Sequence, residues 1–471
     1  MIHESIYRFL VPHVIARVGH GLGHPLWTTA RRLAERQWDS PETLRMRAER
    51  RLRTLVEHAA HHVPHYRDLL ERNGLQVHDI GSVSDLARIP ITTKHDLRAG
   101  FPDRTTADNI PAHRRQPMMT SGSTGLPLEC YWDRSMLPLL AATGLLWLEW
   151  ARTAIWHTRI VIASPTYFYD RLTPARPLRR VLRRLALGER SESLPADELE
   201  AGDFRSLVER VSQRGPYFLR GYPRAIAGLA IALADEDIAL ARHPRVIVTL
   251  AETATRANIE IMERVFRCRV MSWYSAWELP QIAHSCPDDP RVLHINAERL
   301  IVRVVRADGS DAAPGESGRI VATDLANYVM PFINYAPGDR AVAGPLCPCG
   351  RGLPTLAGLE GRESEVIRTP EGREVSAGAL GQLLTFVIGI IPFVWEYQAA
   401  QTAHDSVTLR IVPTPRFTAE FRARLVRELE RFLGPGMAVA IECVDRIPLE
   451  PSGKRLIIKS EAAHPAPRAV G

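Results

Sequence analysis

From Arg159 onward, short β-branched runs alternate with helical stretches, and this alternation limits the folds open to the chain more than any other feature. Ile160–Ala163, Val246–Leu250 and Val270–Trp273 read as strands, and Asp203–Gln213 and Arg256–Phe266 as helices. Strands separated by helices run parallel, because each crossover returns the chain to the same end of the sheet. An α/β domain with a largely parallel sheet is therefore expected. Residues 292–322 change character: Leu300–Val305, the turn Asp308-Gly309 and then Gly318–Thr323 predict a β-rich subdomain built on hairpins. From about Glu363, strand-like Ser406–Val412, helical Thr418–Phe432 and strand-like Ala438–Cys443 predict a small α+β domain. The expected division is an N-terminal domain over 1–362, with a helical region over 1–100 and a β-rich part over about 284–355, and a small C-terminal domain over 363–471.

The 471 residues are 45% hydrophobic and 24% charged, which excludes a disordered or fibrous chain. A formal charge of +7 suits anionic small molecules and gives no footing for nucleic-acid binding. The longest apolar run, near Leu137–Trp150, is broken by Pro138 and Glu149 and is too short to span a bilayer, so no membrane segment is expected. Six cysteines make a poor disulfide framework for this length, and no secretory leader is legible, which predicts a cytoplasmic protein. In the first hundred residues, Arg45, Arg47, Arg50, Arg51 and Arg53 precede Leu55, Ala59 and Val63, the pattern of a solvated helix face beside a packed one. His58, His61, His62 and His65 lack Cys or acidic partners among them, and Pro64 interrupts their helical spacing, so they read as structural. Arg179, Arg180, Arg183 and Arg184 read as the outer face of a surface helix.

Four segments carry the chemistry. Thr120-Ser121-Gly122-Ser123-Thr124-Gly125-Leu126-Pro127 packs hydroxyls and glycines, so its backbone N–H and O–H groups can reach phosphate oxygens unobstructed; the other reading is a polar turn. Trp273-Tyr274-Ser275-Ala276-Trp277-Glu278 ends a predicted strand with an aromatic and a carboxylate, able to stack on a base and hold a magnesium ion, or else simply to pack. In Asn334-Tyr335-Ala336-Pro337-Gly338-Asp339 a turn exposes a carboxylate that can accept from two ribose hydroxyls, or that merely caps the turn. Pro451-Ser452-Gly453-Lys454 presents a lysine where the whole chain has only Lys94, Lys454 and Lys459 among 60 Lys+Arg. A lysine kept in an arginine-dominated chain implies a need for a compact point charge.

In this order the four segments resemble the adenylate-forming superfamily of acyl and aryl ligases, in particular the phenylacetate-CoA ligase-like branch with its capsule and antibiotic biosynthesis members. The resemblance extends over nearly the whole chain. Leu55–Tyr66, with His58, Pro64 and Tyr66, is similar to that branch's N-terminal helix motif, and Ile89-Pro90-Ile91-Thr92-Thr93-Lys94 to the segment after it. The resemblance implies ATP contacts at Thr120, Ser121, Gly122, Ser123, Thr124, Gly125, Ala251, Glu252, Trp273, Tyr274 and Ser275. It further implies a ribose-binding Asp339, a hinge at Gly361-Arg362, magnesium at Glu278, and catalytic roles for Lys454, Glu278 and Thr124. Leu126, Trp277, Ser275 and Ser364 depart from the usual pattern. The implied reaction is AMP-forming activation of a carboxylic acid, aryl or acyl, with transfer to coenzyme A. An amine or carrier-protein thiol as acceptor, and a degenerate nucleotide-binding homologue, are the alternatives. A homodimer is implied because relatives are commonly dimers. Tyr167, Phe168 and Tyr169, with Gly221-Tyr222 further on, are candidates for an aromatic acid pocket.

Cys347-Pro348-Cys349-Gly350 is a thiol pair on a tight turn, better suited to a metal than to a strained disulfide. A closed tetrahedral zinc site needs four ligands, and Cys286 and His294 upstream supply the remainder, with His284 as the other candidate for the nitrogen. Such a site has no open position for water and is structural.

Overall fold

The computed structural model describes residues 26–120, 128–163, 190–195, 201–213, 215–362, 365–390, 393–448 and 456–460. Its frame is one mixed sheet of eleven strands. Five of them, β3 (Thr158–Ala163), β4 (Arg190–Pro195), β5 (Tyr217–Gly221), β6 (Val246–Leu250) and β7 (Arg269–Tyr274), run parallel in the order β4-β3-β5-β6-β7. They are Val- and Ile-rich because both faces are covered: Leu219, Ile247 and Val270 pack on one side, Phe218, Val248 and Met271 on the other. Helices α6 (Ala201–Ser212), α7 (Pro223–Asp235) and α8 (Arg256–Phe266) cover the first face, and α5 (Leu137–Trp150) covers the second with Trp147 and Trp150.

The expected β-rich part is present, and its strands extend the parallel sheet. Strands β8 (Ala283–Ser285), β9 (Leu293–Ile295), β10 (Leu300–Val305), β11 (Ser317–Asp324), β12 (Asp339–Ala343) and β13 (Thr355–Arg362) continue the same sheet, antiparallel, in the order β7-β8-β9-β13-β12-β11-β10. Tyr274 pairs with Ala283 across the β7–β8 seam, so the two halves are one hydrogen-bonded body.

The N-terminal region is helical as its pattern predicts. Helix α2 (Pro41–His62) starts at Ser40, which accepts from the Thr43 backbone, and ends where Pro64 opens α3 (Pro64–Arg72). Leu52, Leu55, Val56 and Ala59 pack against Ile301, Leu325, Val329 and Ile333 of the sheet region. The four histidines are structural among the described contacts; His58 Nε2 lies 2.9 Å from the Tyr328 carbonyl and His62 Nδ1 2.9 Å from Asp108. Two further strands, β1 (Arg115–Met119) and β2 (Glu129–Asp133), form an antiparallel pair. Between α3 and β1 lies the short α4 (Lys94–Gly100).

Beyond β13, a hairpin of β14 (Val366–Arg368) and β15 (Glu374–Ser376) leads into α9 (Ala377–Gln382). A four-stranded sheet then follows, ordered β18 (Ala438–Cys443), β17 (Ser406–Pro413), β16 (Val394–Ala403), β19 (Ile458–Ser460). Helix α10 (Ala419–Leu433), capped by Thr418, buries Phe421, Leu425, Leu429 and Leu433 on it. Among the described residues no helix is long and apolar enough to cross a membrane. The arginine run at 179–184 and the aromatic run Tyr167–Tyr169 lie outside the described residues.

Gly221 marks the tightest point of the parallel half, because a Cβ there would sit 1.9 Å from the Ile162 carbonyl oxygen on the neighbouring strand. Gly221→Ala is expected to lose about 1–3 kcal/mol of stability through backbone displacement. Chemical denaturation checks this, and an unchanged midpoint would contradict the packing described.

Candidate functional site

The ends of β7 and β13, the start of β12 and the turn before it bring a compact polar group together. Asp339 opens β12 directly opposite Arg362 at the end of β13, and this cross-strand register places Arg362 Nε 2.9 Å from Asp339 Oδ1. The Tyr274 hydroxyl donates to Asp339 Oδ2 at 2.7 Å from the end of β7. Burial and then the Asp339 charge hold the Tyr274 phenol well above its ordinary range, so it stays a donor. Asp339 in turn raises the Arg362 guanidinium, so the cation facing it stays charged.

Glu278 lies beside this group with 2% of its surface exposed. Tyr335 donates its hydroxyl to Glu278 Oε1 at 2.9 Å, and Lys94 Nζ sits 3.3 Å from the same oxygen. Burial alone would raise the carboxyl; Lys94, the backbone N–H of Glu278, Tyr335 and Arg362 outweigh it and hold it below the ordinary carboxylate range. An ionised buried carboxylate with a displaceable ammonium partner is an oxygen donor suited to a hard divalent cation. Glu365, a little beyond Arg362, is pushed up to about 7 by burial and accepts from the Ile457 backbone at 3.2 Å.

Other residues expected in the nucleotide site fall in three places. Thr120 stands at the foot of the glycine loop: its backbone N–H donates to the Leu128 carbonyl and its hydroxyl accepts from the Leu128 N–H, at 2.9 and 2.8 Å. Ser121, Gly122, Ser123, Thr124, Gly125 and Leu126, together with Ser364 and Lys454, lie outside the described residues. Ala251 follows β6 with φ of 68°, a left-handed conformation unusual for a residue with a Cβ, and Glu252 comes next. Ser275 spends its hydroxyl accepting from the Gln281 N–H at 3.1 Å. Trp273 is misplaced by the sequence pattern. Successive strand residues face opposite sides, so its ring turns from Tyr274 toward α5, edge-on to Trp147 at 4.9 Å and beneath Arg220 at 4.3 Å.

Sequence reasoning misses Lys94 and Tyr335 as partners of Glu278. The scarcity of lysine is the available signal for Lys94; Tyr335 reads in the sequence only as a turn residue.

Cys286, His294, Cys347 and Cys349 converge at the far end of β8–β9, their ligand atoms all within 4.8 Å of one another. Cys286 and Cys347 sulfurs are 3.7 Å apart, and Cys349 Sγ is 3.3 Å from His294 Nε2. A tetrahedral zinc with Zn–S of about 2.3 Å and Zn–N of about 2.0 Å requires edges near these, so the residues fit a closed structural zinc. Burial and then Arg351 push the His294 imidazole down to about 4, leaving it uncharged at neutral pH, as a ligand must be. His284 lies outside the cluster; its Nδ1 is 2.8 Å from the Ser285 carbonyl and its ring packs on Trp147. The thiol turn, with Gly350 at φ of 85°, also grips the N-terminal region: Arg351 donates to Gln37 at 2.8 Å and lies over the Trp38 ring.

Residues 367–461 match the family described as the CapK C-terminal domain. The phenylacetate-coenzyme A ligase of Aromatoleum evansii is 37% identical over 337 residues, covering 70% of this chain and 72% of the relative. Protein CapK of Staphylococcus aureus is 21% identical over 397 residues, 83% of either chain. Among solved structures, a 2-hydroxyisobutyryl-CoA ligase superimposes with a TM-score of 0.67 at 20% identity, covering 88% of each chain.

Metal analysis of protein purified without chelator is expected to find about one zinc per chain. Replacing both Cys347→Ser and Cys349→Ser should remove it and lower the melting temperature. Metal-free protein with an unchanged melting temperature would contradict the zinc assignment.

Proposed function

Because the chain belongs to the phenylacetate-CoA ligase-like branch of the adenylate-forming enzymes, we propose that it activates a carboxylic acid with ATP and passes the acyl group to coenzyme A. The observation that carries the proposal is the convergence of Tyr274, Asp339, Arg362 and Glu278 at one place in the sheet.

In this reading residues 1–362 form the adenylation body, and 363–471 a small mobile domain that carries Lys454. Asp339, oriented by Arg362, accepts from the ribose hydroxyls, and the Tyr274 ring flanks the base. Ser121–Gly125, with Thr124 as its catalytic hydroxyl, cradles the phosphates. Glu278 holds magnesium, which when bound neutralises phosphate charge. One oxygen of the substrate carboxylate attacks the α-phosphorus, the bond to the β-phosphate bridging oxygen breaks, and pyrophosphate leaves with its electrons. Charge builds on the α-phosphate oxygens in this step, and the Lys454 ammonium and loop donors stabilise it; no protein nucleophile is required. In the second half-reaction the coenzyme A thiolate attacks the acyl carbon and AMP departs, the thiol proton having gone to solvent.

Exchange of labelled pyrophosphate into ATP, run against a panel of aryl, acyl and amino acids without acceptor, tests the first half-reaction alone. At least one acid is expected to support exchange, and Lys454→Ala to reduce it by about 10²–10³-fold with little change in melting temperature. Folded protein that exchanges with no acid, or a Lys454→Ala variant equal to wild type, would overturn the proposal or the role of Lys454 respectively.

A further inference from the structure

We propose that Lys94 is a second cation of the acid-activation site, sharing Glu278 with the metal and moving to the anionic reactants when the metal arrives. This rests on the nucleotide-binding reading above and adds a residue to it.

The placement of Lys94 is not incidental to the fold. Thr92 and Tyr335 form an isolated parallel bridge: the Thr92 N–H donates to the Asn334 carbonyl, and the Ala336 N–H donates to the Thr92 carbonyl, at 3.0 and 2.9 Å. Thr93 then caps α4 in a reciprocal pair with Asp96. Two backbone hydrogen bonds and a capping box thus fix the root of the Lys94 side chain against the turn that carries Tyr335 and leads to Asp339.

At its tip the ammonium lies 3.3 Å from Glu278 Oε1 with a quarter of its side chain exposed, whereas the Glu278 side chain is 2% exposed. The cation therefore has an outlet toward solvent and the anion has none. The neighbouring Arg362 is held by Asp339 at 2.9 Å, and the octet 120–127 contains no basic residue at all. Among the described residues, Lys94 is thus the ammonium next to Glu278 that can change partners. Lysine suits such an exchange, because a point charge on a four-carbon stem reorients by rotation, which the planar fork of an arginine does less readily. This chain has replaced lysine by arginine nearly everywhere else.

Lys94 and an incoming magnesium compete for the charge of one buried carboxylate. Entry of magnesium with the nucleotide weakens the hold of Glu278 on the ammonium, which then turns to incoming negative charge, the substrate carboxylate or the polyphosphate. Removing the Lys94 charge should accordingly let magnesium in more easily and leave the anions held less well.

The test measures ATP binding by equilibrium dialysis across a magnesium titration, in mildly alkaline buffer and with no acid present, so that no turnover is needed. Lys94→Met and Lys94→Gln should lower the magnesium concentration for half-maximal ATP binding by roughly tenfold while weakening ATP binding at saturating magnesium. Lys94→Arg, which keeps the charge and guards against misfolding of the uncharged variants, should keep the half-point at or above the wild-type value. An unchanged half-point in the folded uncharged variants, or a lowered one in Lys94→Arg, overturns the sharing of Glu278. Wild-type protein that binds no ATP at any magnesium concentration overturns this proposal and the nucleotide-site reading together.

Discussion

A carboxylate with 2% of its surface exposed remains charged only when cations and donors replace the water it has lost, and Glu278 imposes that requirement on the structure around it. The compensating groups come from distant parts of the chain: Lys94 from the helical N-terminal region, Tyr335 from the turn before β12, Arg362 from the end of β13. Each must be delivered by its own element. The Thr92–Tyr335 bridge, the β12–β13 register and the end of β7 all serve to bring partners to this one oxygen pair and its neighbour Asp339. Loss of any partner leaves a buried charge less compensated, which is why the site and the packing around it form one unit.

The continuity of the eleven-stranded sheet explains how a cluster of sulfurs and an imidazole can matter to a site it does not touch. His294 lies on β9, β9 pairs with β8, and β8 pairs with Tyr274 on β7. The same cluster ties the thiol turn to Gln37 and Trp38 after α1 (Leu26–Arg36). A closed tetrahedral centre here would pin the first described helix and the antiparallel half of the sheet to one point, a structural role with no open coordination position.

Much of the secondary structure is legible in the sequence. Val246–Leu250, Arg256–Phe266, Leu300–Val305 and Ala438–Cys443 form the elements their patterns predict, because apolar periodicity is a local property. The fold family and the order of the site residues come from resemblance rather than from periodicity. What is not legible is pairing. Nothing in the pattern says that β8 pairs with β7, or that Asp339 faces Arg362, since strand register depends on partners far along the chain. Trp273 shows the same limit from the other side: its neighbour Tyr274 belongs to the polar group, and a single step along the strand sends the indole into the core. Lys94 is missed as a partner of Glu278 by the sequence pattern, although its rarity in the chain is a signal that composition offers independently of any contact.

The central claim is that a carboxylate oxygen of the substrate attacks the α-phosphorus of ATP. It is tested most directly by supplying an accepted acid labelled with oxygen-18 in its carboxylate, with hydroxylamine to trap the acyl group, and weighing the nucleotide product. The account predicts AMP carrying one labelled oxygen. Unlabelled AMP, or ADP with phosphate in place of AMP with pyrophosphate, would contradict it.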